Sequence, residues 1–228
     1  MTRSEKELLK RFALRSVEQS NWLIKVVSCL IWKVFCLLYR PQVHGLNNLV
    51  QNENYVLVAN HSSLWDPIVL FAVNPKLTNW VAKKELFNSK ILSYFLRQYR
   101  AIPLERNKVD LEAIKQMINV LKQGNGVLGI FPQGTRVNDQ TVTETLPKTG
   151  VVSILLRQKA TIVPAYVPHK LQLGKRNHYY IGDSFCLFSA QKKPSELESL
   201  KLAVTMQQRS YQLAEIAYEL KAGELNAN

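Results

Sequence analysis

Residues 55–59 (YVLVA), running straight into residues 60–67 (NHSSLWDP), decide how the rest of the chain is read. The unbroken apolar run reads as a buried strand, and the polar stretch behind it as a loop that enters a helix at Pro67. The pattern repeats outward in both directions. Asn79–Ala82 reads as a second strand, followed by an amphipathic helix over Lys84–Gln98. Ala101–Leu104 is a short strand, and Val109–Gln123 a helix with apolar spacing at Leu111, Ile114, Ile118 and Leu121. Val127–Phe131 (VLGIF) is the clearest strand, residues 149–158 are helical, Thr161–Val167 and His178–Ile181 are strands, and Pro194 to about Lys221 is a helical tail. Alternating strands and helices predict an α/β fold: a central, mostly parallel sheet flanked by helices.

Chemistry collects just beyond the strands. In residues 60–67 a His and an Asp stand five apart, a spacing that lets one tight turn bring the Asp66 carboxylate to the His61 imidazole. The carboxylate then fixes the tautomer while the other ring nitrogen takes a proton from a hydroxyl, as in a catalytic triad whose nucleophile comes from a substrate. The same spacing occurs at His178 and Asp183, but in a strand running into a turn, where the two side chains are expected to point apart. Asp66 followed by Pro67 also reads as a plain helix N-cap, so both roles stay open.

Residues 131–136 (FPQGTR) follow the clearest strand. Pro132 ends the pairing, Gly134 lets the backbone approach a ligand closely, and backbone N–H groups, the Thr135 hydroxyl and the Arg136 guanidinium can converge on a phosphate. The ordinary alternative is a turn with a solvated Arg. Residues 102–106 (IPLER) again place an Arg, Arg106, after a strand, and Lys83 and Lys84 follow the neighbouring one. Residues 124–129 spell G-x-G-x-x-G, but they lead into a strand instead of leaving one, so Gly124 and Gly126 read as a helix stop and a turn.

The chain has 228 residues, with 30 Lys and Arg against 17 Asp and Glu, a net charge of +13. Such an excess points to an anionic partner: nucleic acid, a membrane surface or a phosphorylated substrate. No nucleic-acid motif or basic–aromatic stripe stands out, which excludes the first. The cysteines, Cys29, Cys36 and Cys186, form no metal or disulfide spacing, so no metal is expected and a reduced, cytosol-facing protein is. The first forty residues carry a net +5, and Trp22–Tyr39 is strongly apolar but interrupted by Lys25 and Lys33. The interruptions argue against a bilayer-spanning helix and against a secretory signal. The stretch fits a helix lying in the membrane interface, with Glu18, Asn21, Lys25 and Ser28 on one face and Leu23, Val27, Leu30, Val34 and Leu37 away from it; packing on its own domain and spanning the membrane are the other readings. The expected organisation is residues 1–40 as an amphipathic helical membrane-binding segment and residues 41–228 as the α/β domain.

Together, residues 60–67 (NHSSLWDP), 102–106 (IPLER), 131–136 (FPQGTR) and 162–166 (IVPAY) occur in the order seen in the glycerolipid acyltransferase family, and the chain resembles its 1-acyl-sn-glycerol-3-phosphate acyltransferases over roughly residues 41–185. The resemblance implies His61 as catalytic base, Asp66 as its partner, and Arg106 with Gly134, Thr135 and Arg136 as the phosphate site, Lys83 or Lys84 assisting. It implies lysophosphatidic acid as acceptor, acyl-ACP or acyl-CoA as donor, no separate cofactor, and work on anionic lipid at the cytoplasmic face of the cell membrane, peripheral or monotopic. One departure stands out: the family usually carries Glu where this chain has Gln133, which keeps an acceptor but loses the charge. Rival expectations are the same chemistry on glycerol 3-phosphate or another lysophospholipid, and a basic peripheral membrane module without enzymatic activity.

Overall fold

The structure is a computed structural model that describes residues 22–215 apart from 50–52, 75, 107, 125, 139–143 and 192. The chain runs α1 (Trp22–Tyr39), β1 (Pro41–His44), β2 (Tyr55–Ala59), α2 (Asp66–Val73), β3 (Thr78–Lys83), α3 (Lys90–Gln98), β4 (Ile102–Leu104), α4 (Leu111–Lys122), β5 (Val127–Ile130), α5 (Val152–Gln158), β6 (Thr161–Tyr166), β7 (Asn177–Ile181), β8 (Phe185–Cys186) and α6 (Glu196–Gln212). The strands order as β1-β7-β6-β2-β5-β3-β4, with β8 against β6. From β6 through β4 every pairing is parallel, β1 and β7 are parallel to each other, and only β6–β7 and β6–β8 are antiparallel. The expected mostly parallel α/β sheet is therefore present.

Strand β2 explains the layering. All of its residues are buried, because helices cover both faces of the sheet. Tyr55, Leu57 and Ala59 point into a core shared with Trp32, Phe35 and Cys36 of α1 and most of α2. Val56 and Val58 point the other way, into a core built by α4, α5 and Met206 of α6. The two-residue period of the strand is thus read out as two hydrophobic layers. Helix α1 ends at Tyr39, Arg40 turns with φ 43, and Pro41 opens β1, so the change of pattern foreseen at Arg40–Pro41 is a helix-to-strand transition. The C-terminal half of α1 is anchored in the first core. Its opposite side leaves Leu30, Val34 and Leu37 in solvent.

Some boundaries differ from expectation, each for a local reason. The helix foreseen over Lys84–Gln98 is broken: Lys84–Asn88 is a single 3-10 stretch, and Ser89 then caps α3 by accepting from the Leu92 N–H. A serine at that point offers the backbone a better start than a continued turn. Asp110 does the same for α4, its carboxylate accepting from the Ala113 N–H at 3.0 Å, which trims the foreseen start at Val109. Helix α5 begins at Val152, later than 149. The tail helix ends at Gln212; the part of its foreseen course beyond Glu215, like residues 1–21, lies outside the described residues.

Replacing the fully buried Phe35 with Ala is expected to destabilise the fold by about 3–5 kcal/mol. Leu37→Ala, two residues on but exposed, should stay within about 0.5 kcal/mol. Paired thermal melts in detergent check the contrast, which disappears if α1 is not part of the core.

Candidate active site

The topology creates the site. Strands β2 and β5 are adjacent and parallel, with Val58 opposite Ile130, so the loops that follow them leave the sheet side by side. These loops are residues 60–65 and 131–138, the two stretches singled out by sequence. They are fastened together: the Val137 N–H donates to the His61 carbonyl at 2.7 Å. Asn60, fully buried, donates to and accepts from the Val167 backbone at 2.8 and 2.9 Å, tying the first loop to the end of β6 as well.

Within the first loop, His61 Nδ1 donates to Asp66 Oδ2 at 2.9 Å. The same oxygen accepts the Ser62 and Ser63 N–H groups, each at 2.7 Å. The carboxylate is fully buried and the imidazole partly so, at 18% exposure. This corrects the N-cap reading of Asp66. Trp65 occupies the cap position without a side-chain bond, and Asp66 is the first helical residue, its oxygen turned backward onto the turn that carries His61. Three donors preceding the helix have taken the place of the forward bond an N-cap makes. The second His-x4-Asp spacing forms no such pair. His178 meets His44, Nδ1 to Nε2 at 2.9 Å, while Asp183 is exposed. Burial, and then the charge of His178, hold His44 below its ordinary value.

An aromatic column, invisible to motif reading, backs the imidazole. The His61 ring stacks on Phe131 with centroids 4.2 Å apart, and Phe131 stacks on Trp80 at 4.6 Å. Gly129 makes room for it: a Cβ there would come within 2.5 Å of the Trp80 ring. A glycine inside a strand is the one sequence signal that pointed to such a close approach. On the other flank Trp65 packs against Phe35 of α1 at 4.8 Å, so the His61 turn is wedged between the helix and the sheet.

The basic residues fall into two groups. Arg106 Nη1 donates to the Gly134 carbonyl, and Gly134 adopts φ 69, a left-handed turn suited to glycine. Thr135 and Arg136 follow with exposed side chains that have no partner among the described residues. Lys83 and Lys84, in contrast, are already paired, Lys83 with Glu85 at 3.0 Å and Lys84 with Glu105 at 3.1 Å. The Glu85 carboxyl sits below the usual carboxylate range because its own backbone N–H binds it, with Lys83 and Arg106 adding to the effect.

Gln133 points the other way, into the interior, at 2% exposure. Its Nε2 donates to the Thr145 carbonyl at 3.2 Å and its Oε1 accepts from the Tyr211 hydroxyl of α6 at 3.1 Å. A carbonyl only accepts, so the amide nitrogen must face Thr145, and a carboxylate in its place would set two acceptors against each other. Gln133→Glu is therefore expected to lower stability by about 1–3 kcal/mol, read as a drop in thermal midpoint; a Glu variant as stable as the parent would show that the amide donor is dispensable.

Comparison with known proteins adds three findings. The model of the family described as Acyltransferase matches residues 40–168. A 1-acyl-sn-glycerol-3-phosphate acyltransferase of Streptococcus pneumoniae is 35% identical over 145 residues, 63% of this chain and 52% of that protein. One of Bacillus subtilis is 35% identical over 125 residues, 54% of this chain and 60% of that protein. The chain thus spans between half and three fifths of the length of these curated relatives. The crystal structure of the 1-acyl-sn-glycerophosphate (LPA) acyltransferase PlsC from Thermotoga maritima shares the fold, with a TM-score of 0.56 at 20% identity, covering 94% of this chain and 81% of that one. The family match takes in the His61 turn, Arg106, the 131–136 loop and β6, more than half of the chain, and on it the protein belongs to the acyltransferase family.

Proposed function

We propose that the protein moves a fatty acyl group from an acyl-ACP or acyl-CoA thioester to the free hydroxyl of 1-acyl-sn-glycerol 3-phosphate, giving phosphatidic acid. The observation that carries the reading is the His61–Asp66 pair, held by two serine N–H groups and opening beside the loop where Arg106 meets Gly134. Family membership and the names of the relatives support it.

With Nδ1–H committed to Asp66, the free ring nitrogen of His61 is Nε2, which takes the proton from the acceptor hydroxyl. The oxygen attacks the thioester carbonyl, the C–S bond of the tetrahedral intermediate breaks, and the departing thiolate takes the proton back from the imidazolium. The products are an ester and a free thiol, with no acyl-enzyme in between and no cofactor beyond the donor. Phe131 beneath the ring favours the transient cation through its π face. Arg106, Gly134, Thr135 and Arg136 bind the phosphate and so fix the hydroxyl near Nε2, which turns a collision into an intramolecular encounter. Lys83 and Lys84 belong to this role only after giving up their glutamates.

The acceptor lives in membranes, and α1 presents a surface for one. Val26, Leu30, Ile31, Val34, Leu37 and Leu38 are exposed on it with Lys33 beside them. No helix among the described residues is long and apolar enough to cross a membrane. The reading is therefore a helix lying in the anionic interface at the cytoplasmic face, the enzyme peripheral or monotopic.

His61→Ala in the full chain, solubilised in detergent, should reduce acyl transfer by about 10²–10⁴-fold, and Asp66→Asn by a comparable factor. The assay uses a labelled donor and a panel of acceptors that includes glycerol 3-phosphate. Near-parental activity of His61→Ala would sink the mechanism, and a preference for glycerol 3-phosphate would reassign the acceptor.

A further inference from the structure

The exposed apolar surface has a second part that the acyl-transfer reading leaves unused. Among the described residues, ten of the sixteen large apolar side chains left in solvent lie on just two stretches, α1 and residues 84–98. In the second stretch Leu86 is 41% exposed, Ile91 75%, Leu92 40% and Tyr94 46%. Neither the 3-10 stretch nor α3 contains a single buried residue. A helix so weakly packed, with Ile91, Leu92 and Tyr94 spread over one side, lacks a partner for that side within its own fold.

Charge identifies the partner. From Lys83 to Lys108 the sequence holds seven lysines and arginines against two glutamates. Lys90 and Arg97 border the apolar side of α3 next to Tyr94, both exposed, and Arg97 lies over the Phe87 ring at 5.9 Å. Apolar side chains rimmed by cations match an anionic bilayer, where the former enter the acyl boundary and the latter meet headgroups. Position agrees. Just after α3, Tyr99 packs edge-on against Phe71, in the same core that anchors Trp32, Phe35 and Cys36 of α1. The two exposed helices therefore cover the same face of the sheet, and Leu64 of the His61 turn is exposed as well, at 69%.

We infer that residues 84–98 form a second membrane-docking element, which inserts Leu86, Ile91, Leu92 and Tyr94 into anionic lipid independently of α1. It deepens the membrane reading of α1 proposed above, and the test separates the two. Two contacts on one face define the orientation of a protein on a surface, where a single helix leaves it free to roll. The site between them then meets headgroups in a set pose.

The experiment is flotation of the full chain with phosphatidylcholine vesicles, with and without about a third phosphatidylglycerol, and with no acyl donor present. Ile91→Asp/Leu92→Asp, with α1 untouched, should lower partition onto the anionic vesicles by at least about tenfold. The thermal midpoint and transfer to a short-chain, water-soluble acceptor should stay near parental. Ile91→Ser, a single exposed change, repeats the measurement should the double variant fold poorly. Leu30→Asp/Leu37→Asp tests α1 in the same assay. Unchanged partition of both α3 variants overturns the inference while leaving acyl transfer and the α1 reading intact. Loss of affinity for acidic acyl carrier protein with vesicle binding unchanged overturns it too, since the face would then belong to that protein.

Discussion

One carboxylate oxygen organises the loops at the carboxyl end of the sheet. Asp66 Oδ2 gathers the His61 imidazole and the Ser62 and Ser63 N–H groups within 2.9 Å. Those bonds curl residues 61–65 into a tight turn and start α2 at its end. A buried carboxylate needs donors to offset its desolvation; here they all converge on Oδ2, Oδ1 having none among the described residues, and they come from the residues whose position it dictates. Removal of Asp66 therefore disturbs the backbone path of the turn as well as the orientation of the ring. The aromatic column and the Phe35–Trp65 contact then close on a turn that is already set.

The sheet supplies the second constraint. Placing β5 beside β2 brings the 131–138 loop against the His61 turn, and placing β4 outside β3 brings Arg106 back to Gly134. Chemistry at the carboxyl ends of parallel strands is where such folds gather ligands. The hollow at the opposite end, lined by Asn54, Leu121, Lys159 and Thr161, takes no part in this arrangement.

Much of this was legible in the chain itself. The apolar runs of β2 and β5 announced buried strands, and the polar stretches behind them lie against each other at one end of the sheet. His61 with Asp66, and Arg106 with Gly134, were both brought together as expected. What escaped reading depends on neighbours distant in sequence. The order of strands is a matter of packing, so nothing in residues 127–130 says that they lie between β2 and β3. Gln133 stood out only as a departure from the family's Glu, and its direction depends on Tyr211, seventy-eight residues away. The break at Ser89 and the backward turn of Asp66 are contests between local hydrogen bonds, and spacing does not record which one wins. Phe131 reads as one more apolar residue until Trp80, seated against Gly129, gives its ring a plane.

The bond from the Val137 N–H to the His61 carbonyl has an implication for how such enzymes diversify. The loop that carries His61 and the loop that carries Gly134 and Arg136 share a backbone link, so each is a template for the other. A chimera that imports residues 131–137 from a relative must import residues 60–66 with them, or it inherits a mismatched clasp. Acceptor preference should accordingly drift in paired changes, one in each loop, while the barrier to altering either loop alone stays high.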